Sequence, residues 1–352
     1  LKFRNIGDVL LSTPLVNNLR HHYPNAQIDF CVNKETEAML TLNPNLNKII
    51  TYDRIAIKSL TSIKRFWREL QFIRSFKKEN YDVVINLTSG DRGNLIAWIS
   101  NATTRIGYSN KSWFFRKSLT HELPKQELRH TVDASLDPLR LLNIPISNKS
   151  VEIFWNSKDE QAISSELTNI NNFIHLHPVS RWLFKCISDN IMAQIIDYCQ
   201  LNIGLKVVIT ASEDKFELEK VNKILSLTRS KPINLSGKLS LKETAALNKK
   251  AKLFIGVDTS IMHISASNNV PVLAFFGPSG ACHWGPWDNS IATSGYIRIK
   301  GFQVMGMHRV FSESRPCQPC GKDGCNGTKI SDCLMNLDFE KIKSNIVEML
   351  DD

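Results

Sequence analysis

The residue pattern of this chain predicts an α/β protein made of two Rossmann-like domains whose parallel sheets face each other across a cleft. Three observations carry that expectation. A length of 352 residues suits two domains of similar size. Short apolar runs alternate with helical patterns, which implies parallel sheets covered on both faces. The alternation stops after the first third and restarts beyond residues 150–172, which divides the chain at 1–155 and 156–352. The last helix is allowed to pack back on the first domain.

The elements follow in order. A strand stub precedes the Gly7-Asp8 turn, and a helix over Thr13–His22 ends at Tyr23-Pro24, because the residue before a proline is driven out of helical geometry. Ile28–Val32 and Asn47–Tyr52 read as strands. From Ser59 to Lys78, Leu60, Ile63, Phe66, Trp67, Leu70, Ile73 and Phe76 recur at helical spacing, with Lys64, Arg68, Lys77 and Lys78 on the other face. Tyr81–Leu87 is a compact apolar strand, and a looser stretch runs on through Pro145. In the second half, strands at Phe173–Leu176, Lys206–Thr210, Ile233–Leu235, Leu253–Val257 and Val270–Phe276 alternate with helices at Asp189–Leu201, Glu213–Leu225, Leu241–Lys249 and Ile261–Ser267. The helix Asp338–Leu350 closes the chain.

Hydrophobic residues make up 42% of the sequence, enough for two cores. No apolar run approaches the ~20 residues of a spanning helix. No secretory signal opens the chain. It starts at Leu1, without Met and inside an expected strand, which predicts that a few residues precede it in a cytoplasmic protein. The net charge of +10 is uneven: residues 1–150 hold 22 Lys and Arg against 13 Asp and Glu, a net of +9, and the remainder is near neutral at +1. A basic first half suits a polyanionic partner, such as nucleic acid, an anionic membrane surface or an acidic glycolipid.

Three blocks carry chemistry, each where a strand ends, the position at which open sheets bind ligands. In Asn5-Ile6-Gly7-Asp8-Val9-Leu10 the glycine permits a tight turn and Asp8 stands where a helix begins; read alone, Asp8 is more often a helix cap than a base. In Gly256-Val257-Asp258-Thr259-Ser260-Ile261-Met262-His263 a buried strand gives way to a helix through three small polar residues. The free N–H groups and dipole of such a terminus make a seat for phosphate, with an Asp-Thr-Ser cap and a buried, satisfied histidine as the alternative. In His177-Pro178-Val179-Ser180-Arg181-Trp182-Leu183-Phe184-Lys185, Lys185 can neutralise a diphosphate as a point charge. Neither G-x-G-x-x-G nor G-x-x-x-x-G-K-[ST] occurs, so paired domains without either fingerprint point toward nucleotide-sugar chemistry.

In this order and at these separations, the blocks resemble the ADP-heptose:lipopolysaccharide heptosyltransferases of Gram-negative bacteria, glycosyltransferase family 9. Gly7-Asp8-Val9-Leu10-Leu11-Ser12-Thr13-Pro14, Tyr81-Asp82-Val83-Val84-Ile85-Asn86-Leu87, Arg105-Ile106-Gly107-Tyr108, Lys238-Leu239-Ser240-Leu241 and Phe276-Gly277-Pro278 extend the resemblance over nearly the whole chain. The Asp258–His263 block and Phe184-Lys185-Cys186 look most like the third core heptosyltransferase branch. The resemblance implies a GT-B fold, an ADP-heptose donor, inversion at the anomeric carbon and no required metal or other cofactor. It implies Asp8 as general base on the acceptor hydroxyl, and donor contacts from Ser180, Lys185, Leu239, Asp258, Thr259, Ser260 and His263. Leu239 would flank the adenine. A ribose-binding carboxylate is expected after Lys206–Thr210: Glu213 first, with Asp214 and Glu217 close behind. Ser260 stands where some members have Gly, and Val179 where some have a hydroxyl.

The basic half then receives a lipopolysaccharide core, through Lys64, Arg65 and Arg68, at the cytoplasmic face of the inner membrane, and no nucleic-acid partner is expected. The stripe Phe66, Trp67, Ile73 reads as core in preference to a membrane anchor. The segment Cys317-x2-Cys320-x4-Cys325-x7-Cys333 resembles a structural zinc site, with reduced thiols packing a loop as the alternative. The competing functional readings are a basic nucleic-acid-binding protein with a four-cysteine module, and a glycosyltransferase using another nucleotide sugar.

Overall fold

The computed structural model describes residues 1–109, 118–124, 127–167 and 170–351. These form two compact units, Leu1–Glu127 with Thr131–Lys149, and Leu128–His130 with Ser150–Asp352.

In the first unit, β1 (Asp29–Asn33) pairs in parallel with β2 (Lys48–Tyr52), and β3 (Val83–Asn86), β4 (Thr104–Tyr108) and β5 (His121–Leu123) form a second parallel sheet in that order. The opening residues stitch the two sheets together. Lys2 N donates to Cys31 O at 2.9 Å, and Leu87 N donates to Leu1 O at 3.0 Å. A short helix α1 (Ile6–Leu10) follows, then α2 (Thr13–His22) with Pro14 in its first turn, where a missing N–H costs nothing. Leu15, Leu87, Ile106, Leu136 and Leu139 pack into one core of this unit.

The helix expected over Ser59–Lys78 is broken. Helix α3 (Arg54–Lys58) precedes it, α4 covers Ser62–Ser75, and a tight turn over Phe76–Glu79 ends at Asn80 in left-handed geometry, φ +52°. Only the end of α4 is covered: Ile73 and Phe76 pack with Cys31 and Ile96. Phe66 and Trp67, expected in the core, are 62% and 61% exposed. Helical spacing tells which side chains share a face, and does not tell where along the helix a partner element ends. The stretch left unassigned by sequence holds β4, β5 and helix α5 (Asp91–Ile99).

The second unit is a seven-stranded sheet with covering helices. Its strands are β6 (Phe173–His177), β7 (Lys206–Ile209), β8 (Ile233–Asn234), β9 (Leu253–Val257), β10 (Val272–Phe275), β11 (Gln303–Met305) and β12 (His308–Phe311). Their spatial order is β11-β12-β10-β9-β6-β7-β8, parallel except for β11 against β12. Strands β6, β9 and β10 are buried along their whole length, which is why β9 and β10 read as unbroken apolar runs, whereas β6 carries the buried His175 and His177. At the β6–β9 contact, Gly256 lies opposite His177, and a Cβ there would stand 2.7 Å from the His177 carbonyl oxygen.

Helices α6 (Ser157–Ser164), α7 (Asp189–Asp197), α8 (Lys215–Leu227), α9 (Leu241–Asn248), α10 (Ser260–Ser267) and α11 (Phe339–Asp351) belong to the same unit. Two capping boxes fix helix starts, Asn156 with Asp159 and Ser240 with Glu243. The last helix, which the sequence allowed to pack on the first domain, buries Ile342, Ile346 and Met349 among Ile191, Ile195 and Leu334 of its own unit. The division between units also falls a little earlier than residue 155. Val151 N donates to Asn289 Oδ1 at 2.8 Å, and His130 is held by Gly285 O at 2.8 Å and by the rings of Trp287 and Tyr296. Among the described residues no helix is long and apolar enough to cross a membrane.

Candidate functional site

The C-terminal ends of β10, β9, β6 and β7 bring together most of the polar residues singled out in the second half. Asp258 follows β9 directly and is 5% exposed. Its Oδ2 accepts from Lys185 Nζ at 2.6 Å and from Ser279 Oγ at 2.5 Å. Burial alone would raise the Asp258 carboxyl; the Lys185 ammonium and the Ser279 hydroxyl outweigh it and hold the group below the ordinary carboxylate range. Ser279, absent from the sequence-based set, comes from the loop after Phe276-Gly277-Pro278. Its only signal was a small hydroxyl one residue past that motif.

Helix α10 starts beside this cluster. Thr259 occupies its N-cap position with extended backbone, yet its side chain makes no cap hydrogen bond. The expected alternative, an Asp-Thr-Ser cap, is therefore not formed. Among the described residues Thr259 Oγ1 and His263 Nδ1 are buried without a hydrogen-bond partner, and buried polar atoms are ordinarily satisfied. An uncapped helix terminus, two orphaned polar atoms and the Lys185 ammonium, itself paired with Asp258, offer together a seat for an anion. Ser180 is buried, and its Oγ accepts from Trp182 N at 3.1 Å to shape the turn leading to Lys185. Val179 lies in the hydrophobic core, so its lack of a hydroxyl is a packing feature.

Beyond β7, three carboxylates divide by occupation. Asp214 caps α8, accepting from Phe216 N at 2.9 Å, and buried Glu217 accepts from Ser212 N at 3.0 Å. Glu213 is exposed and has no side-chain partner among the described residues. Gly237 N donates to Ala211 O at 3.0 Å, so the loop carrying Lys238 and half-buried Leu239 lies against the loop carrying Glu213.

Behind the seat runs a buried polar relay. The Thr210 hydroxyl lies 2.8 Å from His175 Nε2 and 2.9 Å from His177 Nδ1, and Asn248 Nδ2 reaches His175 Nδ1 at 3.0 Å and Ser265 Oγ at 2.7 Å. Burial pushes His177 down to about 4 and His263 to about 3. An unfolded histidine titrates near 6.5, so between about pH 6.5 and 4 the unfolded chain binds more protons than the folded one. Stability is expected to fall as pH drops through that window, by up to about 1.4 kcal/mol per pH unit for each histidine. Urea midpoints at about pH 7, 6 and 5 check this, and a flat series contradicts it.

The four C-terminal cysteines are not gathered. Cys317 is exposed and Cys333 is buried, its thiol pushed up to about 11 by burial. Among the described residues no group of three or more His, Cys, Asp or Glu is placed to hold a metal ion, so the arrangement does not fit a structural zinc. The segment instead braces the anion seat. Gln318 Nε2 donates to Gly277 O at 3.1 Å, Gly321 N to Pro278 O at 2.9 Å, and Ser331 Oγ to Phe184 O at 2.6 Å. These contacts hold the loops that carry Ser279 and Lys185.

In the first unit, Asp8 sits in the first turn of α1, and the cap position belongs to Asn5, so Asp8 is not a cap. Lys2 Nζ lies 3.6 Å from Asp8 Oδ1 and donates to Leu87 O at 3.2 Å. Burial lowers the Lys2 ammonium from its usual range, and Asp8 offsets part of that. Lys2 was missed because a lysine at a strand start carries no pattern of its own. Lys64, Arg65 and Arg68 are exposed on α4, with Arg68 bonded to Gln71 at 3.2 Å.

The sequence profile of glycosyltransferase family 9 (heptosyltransferase) matches residues 69–302. Lipopolysaccharide heptosyltransferase 3 of Escherichia coli is 30% identical over 292 residues, covering 81% of this chain and 84% of that protein. A glycosyl transferase family 9 structure from Veillonella parvula superposes with a TM-score of 0.78 at 22% identity, covering 99% of this chain and 95% of its own. The E. coli heptosyltransferase WaaC with ADP gives 0.72 at 14% identity, covering 99% and 98%. The expected GT-B fold agrees with these structural neighbours. The chain belongs to glycosyltransferase family 9, the heptosyltransferases.

Proposed function

We propose that this protein is an inverting glycosyltransferase that moves heptose from ADP-L-glycero-D-manno-heptose to the inner core of lipopolysaccharide, as a peripheral protein at the cytoplasmic face of the inner membrane. The observation that carries this reading is the Lys185–Asp258–Ser279 cluster beside the uncapped start of α10, a diphosphate seat in a chain of this family. The E. coli relatives named as lipopolysaccharide heptosyltransferases and the neighbour solved with ADP support the donor and acceptor classes.

The chemistry is a single displacement. An acceptor hydroxyl oxygen bonds to the anomeric carbon while the bond from that carbon to the β-phosphate oxygen breaks, and ADP leaves with the electron pair. The hydroxyl proton passes to the Asp8 carboxylate, since a sugar hydroxyl is a weak nucleophile without a base. Lys2 is the positioning residue for Asp8. Charge growing on the departing diphosphate is met by Lys185 and the free N–H groups of α10, with Ser180, Thr259, Ser260 and His263 as further donor contacts. The proposed step uses no metal. Glu213 takes the ribose hydroxyls because Asp214 and Glu217 are already engaged, and Leu239 lies against the adenine. Lys64, Arg65 and Arg68 meet acidic groups of the acceptor. A nucleic-acid reading of the basic half gives the anion seat and Asp8 nothing to do.

The test is transfer from ADP-heptose, beside other nucleotide sugars, onto a panel of truncated lipopolysaccharide cores. Heptose is expected to move to at least one core, with ADP-heptose preferred. Transfer to none of them defeats the reading, and preference for another nucleotide sugar replaces its donor.

A further inference from the structure

The corner formed by α3 and the first turns of α4 has a composition that the transfer reaction leaves unexplained. Every residue from Lys58 to Arg68 is exposed. Five large apolar side chains crowd this corner, led by Ile63 at 74% and Ile55 at 71% exposure, with Leu60, Phe66 and Trp67 beside them. The Phe66 and Trp67 rings meet edge to face at 5.8 Å, touching each other at the surface. Lys58, Lys64, Arg65 and Arg68 lie in the same stretch, which holds no Asp or Glu. Among the described residues none of the four is paired with a carboxylate. The nearby acids are engaged elsewhere: Asp53 with Lys34 at 3.1 Å, and Glu69 with Arg92 at 3.1 Å and with the Tyr52 hydroxyl.

Water is a poor solvent for such a surface, and isolated exposed apolar residues do not account for five in one corner. Tryptophan and phenylalanine interleaved with cations and aliphatics is the chemistry of a helix lying in a lipid headgroup layer. A nucleic acid would also take the aromatics and the cations, but Ile55, Leu60 and Ile63 have no π-face to stack on a base. We propose that this corner is a membrane-docking face: Ile63, Phe66 and Trp67 enter the headgroup region of an anionic bilayer, and the four cations meet the anionic groups at its surface, lipid phosphates as well as those of a glycolipid acceptor set among them. The inference rests on the proposed function, in which the acceptor is a glycolipid held in such a bilayer, and it names the surface that delivers the enzyme to it.

The test is sedimentation of the full chain with phosphatidylcholine vesicles containing phosphatidylglycerol and no glycolipid, so that acceptor binding does not contribute. Wild type is expected to pellet with these vesicles and to leave them in about 0.5 M salt, where surface charges are screened. The triple variant I63S/F66S/W67S is expected to bind roughly tenfold or more weakly. Because all three side chains are exposed, its melting temperature and its transfer to a water-soluble core oligosaccharide should match wild type. Equal vesicle binding by the variant, or no binding by wild type, overturns the docking face even where transfer is intact. Self-association of wild type that the triple variant abolishes, without vesicle binding, assigns the corner to a second copy and also overturns it. Vesicle binding that depends on the three residues in a protein without transfer activity upholds the surface and defeats the proposed function.

Discussion

Lys185→Met is expected to destabilise the second unit by about 3 kcal/mol at neutral pH and to slow transfer by roughly 10²–10³-fold. The methionine keeps much of the volume and removes the charge. Asp258, 5% exposed, then retains the Ser279 hydroxyl as its side-chain hydrogen-bond donor among the described residues, and a buried charge stripped of its counter-ion is costly. The sign with pH follows from the lowered Asp258 carboxyl. A carboxyl depressed on folding contributes stability above its unfolded value of 3.8 and loses it as pH falls through its folded value. The gap between wild type and Lys185→Met should thus be widest near neutrality and close in acid. Urea unfolding at several pH values measures it, and equal midpoints at neutral pH would show that the pair contributes little. The kinetic loss has a separate cause, since the departing diphosphate loses its point charge.

Asp8→Asn is expected to reduce transfer by roughly 10²–10⁴-fold, the usual contribution of a general base. Asparagine keeps the shape and cannot take the proton. The affinity for ADP should be unchanged, because every residue of the diphosphate seat lies in the other unit. Lys2 loses its carboxylate but keeps the Leu87 carbonyl, so the fold should survive. A rate loss with ADP binding intact supports the base. A wild-type rate for Asp8→Asn, or a loss of ADP affinity matching the loss of rate, counts against it.

Much of the second unit was legible from sequence because β9 and β10 are buried along their whole length and carry no polar side chain, and β6 is interrupted by histidine alone. The start of α10 was legible because the switch from Leu253–Val257 to three small polar residues is abrupt. Strands β4 and β5 escaped notice because they are short and only partly buried, as Thr104, Arg105, His121 and Glu122 illustrate. The partners that complete the site come from far along the chain. Ser279 reaches Asp258 across 21 positions, and Lys185 reaches it across 73. No local pattern records such pairings. The cysteine segment misled in the opposite direction, since its spacing resembles a zinc module while its contacts brace Gly277, Pro278 and Phe184. Phe66 and Trp67 show the limit of periodicity most plainly, because the helix was foreseen and its missing cover was not.

The central claim is inverting heptosyl transfer, and the product's stereochemistry tests it most directly. The purified protein would be given ADP-heptose and an inner-core acceptor, and the product examined by mass spectrometry and NMR. One added heptose whose anomeric configuration is opposite to the donor's is the expected result. A product that retains the donor's configuration, or an acceptor recovered without heptose, would contradict it.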